Sequence, residues 1–410
     1  MKIGVNDKCS CGSEIKYKKC CMGKNLVLKG KNAEEFIHEL SKKTFFEDWC
    51  YLNPKFFDGK ELCDVLILFE DILIIWQIKD LKLKKGKYDK GEVEKNLRQL
   101  CGAKRMLLEA KKPINLVNSK REETFSPEKI KKVYLISALV GEGEDYYSFA
   151  ELKKENQIHT FTRKFSEIVL EELDTIKDFI RYLEEKEKLI SKNTKINISG
   201  GEEEFLSYYL RNEKSFSELF KAGLIIISEG LWEDFQKKEE YKLKKEEDKI
   251  SYIWDEIIRF SHSCGENYEI VAQELAKPDR FERRQLSKAF FDACKIADKQ
   301  KEMNVFRRFV KMEGITFCFM MKDGDREIRR NLLQATSFVS RGLNPENNKV
   351  LGIATEMTNS PLRSYDFCLM DFPEWSEEND KEMKRIQKEL KIFTNPKVYP
   401  VKESEYPTKE

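Results

Sequence analysis

No apolar run in this sequence is long enough to cross a bilayer. The longest, Val65 to Trp76, is broken by Glu70 and Asp71 and falls short of the roughly 20 residues a spanning helix needs. The opening residues are polar and cysteine-rich rather than a secretory h-region, so a cytoplasmic protein without a membrane partner is expected. Histidine is scarce: His38, His159 and His262 lie far apart and form no metal-ligand spacing, which leaves Ser-His-Asp and Cys-His chemistry with little support. Glycine is thin where nucleotide loops need it. The strand–turn–helix stretch 314–335 holds only Gly314 and Gly324, so it is neither a Walker loop nor a dinucleotide fingerprint. A dominant sign of charge is missing too, since 75 basic and 73 acidic residues leave +2.

What is present is a charge-rich globular composition, 40% hydrophobic and 36% charged over 410 residues, enough for two or three domains with their own cores. Basic residues gather locally. Residues 1–31 carry eight lysines against Asp7 and Glu14, and residues 79–112 carry twelve Lys or Arg against five acids. Such patches suit phosphate backbones, although any single lysine is by itself an ordinary solvated one.

Periodicity and turn signals predict a helix over 31–48, with Asn32 and Glu35 as a capping-box start. Strands follow at 61–69 and 72–79 around a Glu70-Asp71 turn. A helix over 91–111, strands at 132–140 and 157–161, and one helix over 165–189 complete the first half. The polar stretch 190–201 ends in Gly-Gly and marks a domain boundary. Residues 202–410 read as a mixed, mainly helical domain, with strands near 222–228, 314–320 and 349–354. There, Asp325 to Arg330 reads as a capped helix start with a basic face, and the Arg/Lys-rich 278–311 as a solvated helix face ahead of a partner or nucleic-acid surface.

Four cysteines, Cys9, Cys11, Cys20 and Cys21, fall within thirteen residues as C-x-C-x8-C-C. Four thiolates at this spacing close a tetrahedral zinc site and hold a segment that has no core of its own. Adjacent Cys20 and Cys21 in a reducing compartment argue against two disulfides. The segment resembles the SEC-C motif through Cys-x-Cys-Gly-Ser, Lys16-Tyr17-Lys18 and Cys20-Cys21, and departs from it at Glu14, where the motif usually has Gly. With all four positions taken by protein ligands, the expected Zn2+ is structural, and the surrounding lysines can dock on nucleic acid or on an acidic protein.

The second constellation lies on the hairpin. A tight turn centred between Glu70 and Asp71 pairs residues whose numbers sum to 141, so Asp64 sits opposite Gln77. Alternation puts Gln77 and Lys79 on one face, and Asp64 joins them across the ladder. A carboxylate, an amide oxygen and an ammonium converging on an apolar hairpin suit phosphodiester hydrolysis with Mg2+ or Mn2+: Asp64 and Gln77 as magnesium ligands, Lys79 for the developing negative charge. A buried hairpin with a snorkelling lysine is the bland alternative. The pattern resembles the PD-(D/E)xK nuclease superfamily in the Q-x-K variant of Mrr-like restriction enzymes, over about residues 31–190. That resemblance implies a further acid from the preceding helix: Glu35, with Glu39 next in line, while Glu35 equally reads as a capping residue. It also implies DNA contacts from Lys84, Lys85 and Lys87 and from Gln99 on the following helix.

The combined expectation is an α/β protein: a SEC-C zinc tip over 1–24, a restriction-endonuclease-like core over 31–190, and a mixed, mainly helical domain over 202–410. The activity implied is a Mg2+-dependent endonuclease acting on DNA, in a setting such as bacterial defence. The rivals are a catalytically inactive nuclease fold that binds DNA, and an adaptor docked to a protein partner through its tip or its C-terminal domain. The tip is directly testable. Freshly purified, reduced protein should carry about one zinc per chain, and Cys20→Ser should release it while leaving the 31–190 core folded; elemental analysis finding no zinc would sink this expectation.

Overall fold

The computed structural model describes residues 33–81, 87–141, 150–153, 156–191, 195–299, 304–357, 363–400 and 402–408. The cysteine tip, Asn32, Lys84 and Lys85 lie outside the described residues. The fold is mixed α/β with several sheets, and the chain divides into two compact units between Phe235 and Gln236. Among the described residues no helix is long and apolar enough to cross a membrane.

The first unit opens with α1 (Ala33–Phe45), followed by β1 (Cys50–Leu52), β2 (Val65–Phe69) and β3 (Ile72–Lys79). These strands form an antiparallel meander. Then come α2 (Lys90–Leu108), a small hairpin of β4 (Ile114–Val117) and β5 (Glu122–Phe125), and β6 (Lys132–Leu139). After β7 (Ala150–Lys153) and β8 (Asn156–Thr162) the sheet has the order β1-β2-β3-β6-β8-β7, with β3, β6 and β8 mutually parallel. A strand that is central and covered on both faces needs an unbroken apolar run. ILIIWQIK in β3 is such a run, and its inner six residues are buried.

Helix α2 covers one face. Asp89 caps its start by accepting from the Gly91 and Glu92 amides. Val93, Leu97, Leu100 and Leu107 recur at helical spacing and pack on Leu73, Ile75, Leu135 and Leu139. On the other face the rings of Phe45, Trp76, Phe161, Phe165 and Phe179 interlock edge to face or stacked. His159 is buried there, with Nε2 3.0 Å from Glu187 Oε1. Burial drives its pKa down to about 4, so it stands as a neutral core residue.

The single helix expected over 165–189 is two, α3 (Arg163–Glu172) and α4 (Ile176–Ile190). The apolar period runs through the break, but Thr175 restarts the helix: its hydroxyl accepts from the Asp178 amide and donates to the Asp178 carboxylate. The polar 190–201 stretch contains a strand, β9 (Lys195–Ile198), paired in parallel with β10 (Leu224–Ile227). Between them lies α5 (Glu202–Arg211). Glu202 accepts from Lys186 Nζ of α4 at 2.5 Å and from the Tyr182 hydroxyl at 2.8 Å, all buried, so the first unit runs on past residue 201 to Phe235.

The second unit includes α6 (Tyr252–Ser263), α7 (Glu269–Ala276) and α8 (Arg280–Lys299). A four-stranded sheet follows, of β11 (Phe306–Met312), β12 (Ile315–Met321), β13 (Lys349–Thr355) and β14 (Asp366–Asp371) in that order. Helix α9 (Arg326–Leu343) crosses between the parallel pair β12 and β13, and α10 (Glu377–Glu389) follows the sheet. Asp325 caps α9, accepting from the Ile328 amide at 2.9 Å, as its sequence suggests. The solvated face expected within 278–311 is corrected by α8, where Arg280, Arg283 and Arg284 are buried. Arg280 and Arg283 share Asp255, and Arg284 pairs with Asp248. The acids sit far away in sequence, so nothing local announced the pairing.

Removing one partner of a buried ion pair strands the other charge. Glu202→Ala should therefore cost about 3–5 kcal/mol in urea unfolding by removing the carboxylate that faces buried Lys186, whereas a Lys186→Met/Glu202→Met double change should recover most of that loss.

Candidate functional site

The β2–β3 hairpin turns tightly at Glu70, which adopts φ 52°, and Val65 faces Trp76 in the register expected from the sequence. Asp64 continues that ladder just ahead of β2, its amide donating to the Trp76 carbonyl at 3.2 Å. Its carboxylate accepts from Gln77 Nε2 at 2.7 Å and from the Ile78 amide. Asp64 and Gln77 are 4% and 6% exposed, so both are taken out of water. Lys79 ends β3 on the same face as Gln77 and is only partly buried, so it does not vanish into the core.

Helix α2 contributes a residue that the sequence reading passed over. Asn96, fully buried, donates through Nδ2 to the Gln77 carbonyl at 3.1 Å and to Ser137 Oγ at 2.9 Å. It clamps β3 where the polar side chains leave it. The signal was present, since Asn96 falls on the buried Val93–Leu97–Leu100 stripe, an unusual place for an amide. Gln99, expected to contact DNA, lies on the exposed side of α2. Lys87, just before α2, is exposed. Past β3, Gly141 abuts Leu81 so closely that a Cβ there would come within 1.7 Å of the Leu81 carbonyl oxygen. No other residue fits without displacing the segment that follows Lys79.

Of the acids on α1, Glu34 rather than Glu35 acts electrostatically on Asp64, and Glu61, on the loop before β2, acts on it too. Burial first, then Glu34 and Glu61, push the Asp64 carboxyl up to about 7, while the Ile78 amide favours its charged form. The described partners of Asp64 are an amide side chain, a backbone N–H and two other acids; none is a cation. One helix position is a turn of about 100°, and it points Glu35 elsewhere. Glu35 and Glu39 line a separate cleft of about 330 Å³ with His38, Lys42, Glu47 and Ser119. There Lys42 pairs with Glu39 at 2.8 Å and with Glu47 at 3.4 Å.

A buried carboxylate beside an amide side chain suits a hard divalent cation. As placed, however, no group of three His, Cys, Asp or Glu side chains among the described residues is close enough to hold a metal ion.

Compared with known proteins, the chain matches the SEC-C motif family over residues 6–23. No curated protein and no solved structure matches it.

An acid whose folded pKa is raised binds more protons folded than unfolded. Its ionisation penalty is absent below about pH 4, grows as pH rises through about 7, and is constant above. Asp64→Asn should therefore gain stability relative to wild type across that window in metal-free buffer, as read by urea melts at half-unit pH steps. A wild-type-minus-variant difference that stays flat from pH 4 to 8 would contradict the raised carboxyl.

Proposed function

We propose that this protein is a metal-dependent nuclease that hydrolyses DNA phosphodiester bonds, with its first unit built as a restriction-endonuclease-like core. One observation carries the reading: a buried carboxylate, Asp64, is bonded to Gln77, lies under the influence of Glu34 and Glu61, and sits on the hairpin whose exit presents Lys79. The order of elements supports it: a helix, three antiparallel strands, a helix, then a strand parallel to β3.

Asp64 is the acid that would hold Mg2+ or Mn2+, with Glu34 and Glu61 adding negative charge near it, and Gln77 supplies a neutral oxygen. A bound divalent cation there would polarise the phosphate and lower the pKa of a bound water. Lys79 would stabilise the negative charge that builds on the phosphate and orient the attacking water. Asn96 keeps the Gln77–Lys79 segment in place from behind. Lys84, Lys85 and Lys87 would contact the DNA backbone without reading sequence, and Gln99 is exposed on α2. A second reading, a catalytically inactive nuclease fold that binds DNA, is favoured by the neutral Gln77, whose amide is spent on Asp64, and by the absence of a three-acid group among the described residues.

Incubation of the purified protein with plasmid DNA plus Mg2+, Mn2+ or EDTA separates the two. Asp64→Ala should abolish cleavage. Lys79→Ala should lower it about 100- to 1,000-fold while sparing Mn2+ binding. Glu34→Gln should weaken Mn2+ binding, and Glu35→Gln should change neither. Gln77→Glu should strengthen metal binding and retain cleavage; at a purely structural position it would only destabilise the fold. Wild-type protein that cuts no DNA with either cation leaves the inactive DNA-binding reading.

A further inference from the structure

The start of α9 meets the start of edge strand β14 in the second unit. Asp366, buried, accepts through Oδ1 from Arg326 Nε and Arg330 Nε, each at 2.8 Å. Through Oδ2 it takes Arg329 Nε and Nη2, each at 2.7 Å. A carboxylate offers about four lone-pair sites, and guanidinium N–H groups use them all. Arg329 is the structural member: buried, it continues to Glu356 at 2.9 Å and to Ser364 Oγ at 2.5 Å. Arg326 and Arg330 differ from it. Their side chains are 51% and 52% exposed, and Asp366 holds each through Nε alone.

The outward ends of these two guanidinium groups keep unspent donors. Arg326 Nη2 donates to the Tyr365 carbonyl at 3.1 Å, while Arg326 Nη1 and both Nη groups of Arg330 have no acceptor among the described residues. Two like charges are thus pinned side by side on one saturated carboxylate, at the positive end of an 18-residue helix. Beside them runs a line of partly exposed rings. Tyr268 lies close enough to Arg330 to act on its charge. Its ring centroid is 6.1 Å from that of Phe367, which lies 6.4 Å from Tyr365 in a stacked arrangement.

We propose that this edge of the second unit binds a single strand of nucleic acid, with phosphates on Arg326 and Arg330 and a base against Tyr268 and Phe367. Paired guanidinium groups fit phosphate oxygens bidentately. Partly exposed aromatic rings accept any base by stacking, which a single strand can use and a duplex cannot. The inference stands apart from cleavage by the first unit and is tested without divalent metal.

Fluorescence anisotropy of labelled dT20 on the full chain in EDTA reads it directly. Arg326→Gln/Arg330→Gln should weaken binding roughly tenfold and lower the log–log salt slope by about 1.4, the value for two single-strand phosphates. Tyr268→Ala should weaken dT20 binding roughly tenfold but leave binding of the matching duplex unchanged. Lys388→Gln, at an exposed lysine of α10, should leave dT20 binding intact, which separates this surface from basic charge elsewhere in the unit. If the double variant does not fold, Tyr268→Ala decides. No dT20 binding by wild type, no effect of either variant, or equal competition by polyglutamate, which would mean that charge alone is read, each overturns the proposal.

Discussion

The pairing of β3 with β2 on one side and β6 on the other places Asp64, Gln77 and Lys79 in the first unit's candidate site. The β2 ladder holds Ile72–Trp76 and the β6 ladder the whole of Ile72–Lys79, on an apolar strand covered on its two faces, so a slip of one residue would turn Trp76 and Gln77 to the wrong sides. That cost locks Asp64 opposite Gln77 and leaves Lys79 at the strand's end. Asn96 and Gly141 act within the same constraint: one ties α2 to the Gln77 carbonyl, the other lets the chain pass against Leu81.

Against that frame, the buried charges divide into two kinds. Asp255, Asp366 and Glu202 each face arginine or lysine, so their desolvation is offset by an opposite charge. Asp64 faces Gln77, a backbone amide and two more acids. A fold that only needed a packed hairpin would be better served by an apolar residue there. The uncompensated acid is therefore the feature of the first unit that most needs a function, and a cation-dependent reaction on a phosphodiester is the chemistry proposed for it.

Legibility varied with the range of the forces involved. The hairpin register could be read because a tight turn and alternation are local rules, and the Asp64–Gln77 pair follows from them. Glu34 and Glu35 are equally good first-turn acids, and only the way α1 sits on β1 and β2 decides which of them turns toward Asp64. The break between α3 and α4 was missed because the apolar stripe is continuous across it, although Thr175 and Asp178 spelled a cap.

By itself the sequence determined the short-range features: the C-x-C-x8-C-C spacing with its SEC-C match, the helices over 31–48 and 91–111, half of the described strands, and the carboxylate–amide–lysine alignment on one hairpin. Tertiary structure alone decided what depends on distant partners. It chose Glu34 over Glu35, put Asn96 behind β3, turned Arg280, Arg283 and Arg284 inward onto Asp255 and Asp248, and left Arg326 and Arg330 facing outward. The physical reason is common to all four. A side chain's charge state and direction are set by the groups packed against it, and those groups come from residues that local periodicity does not connect.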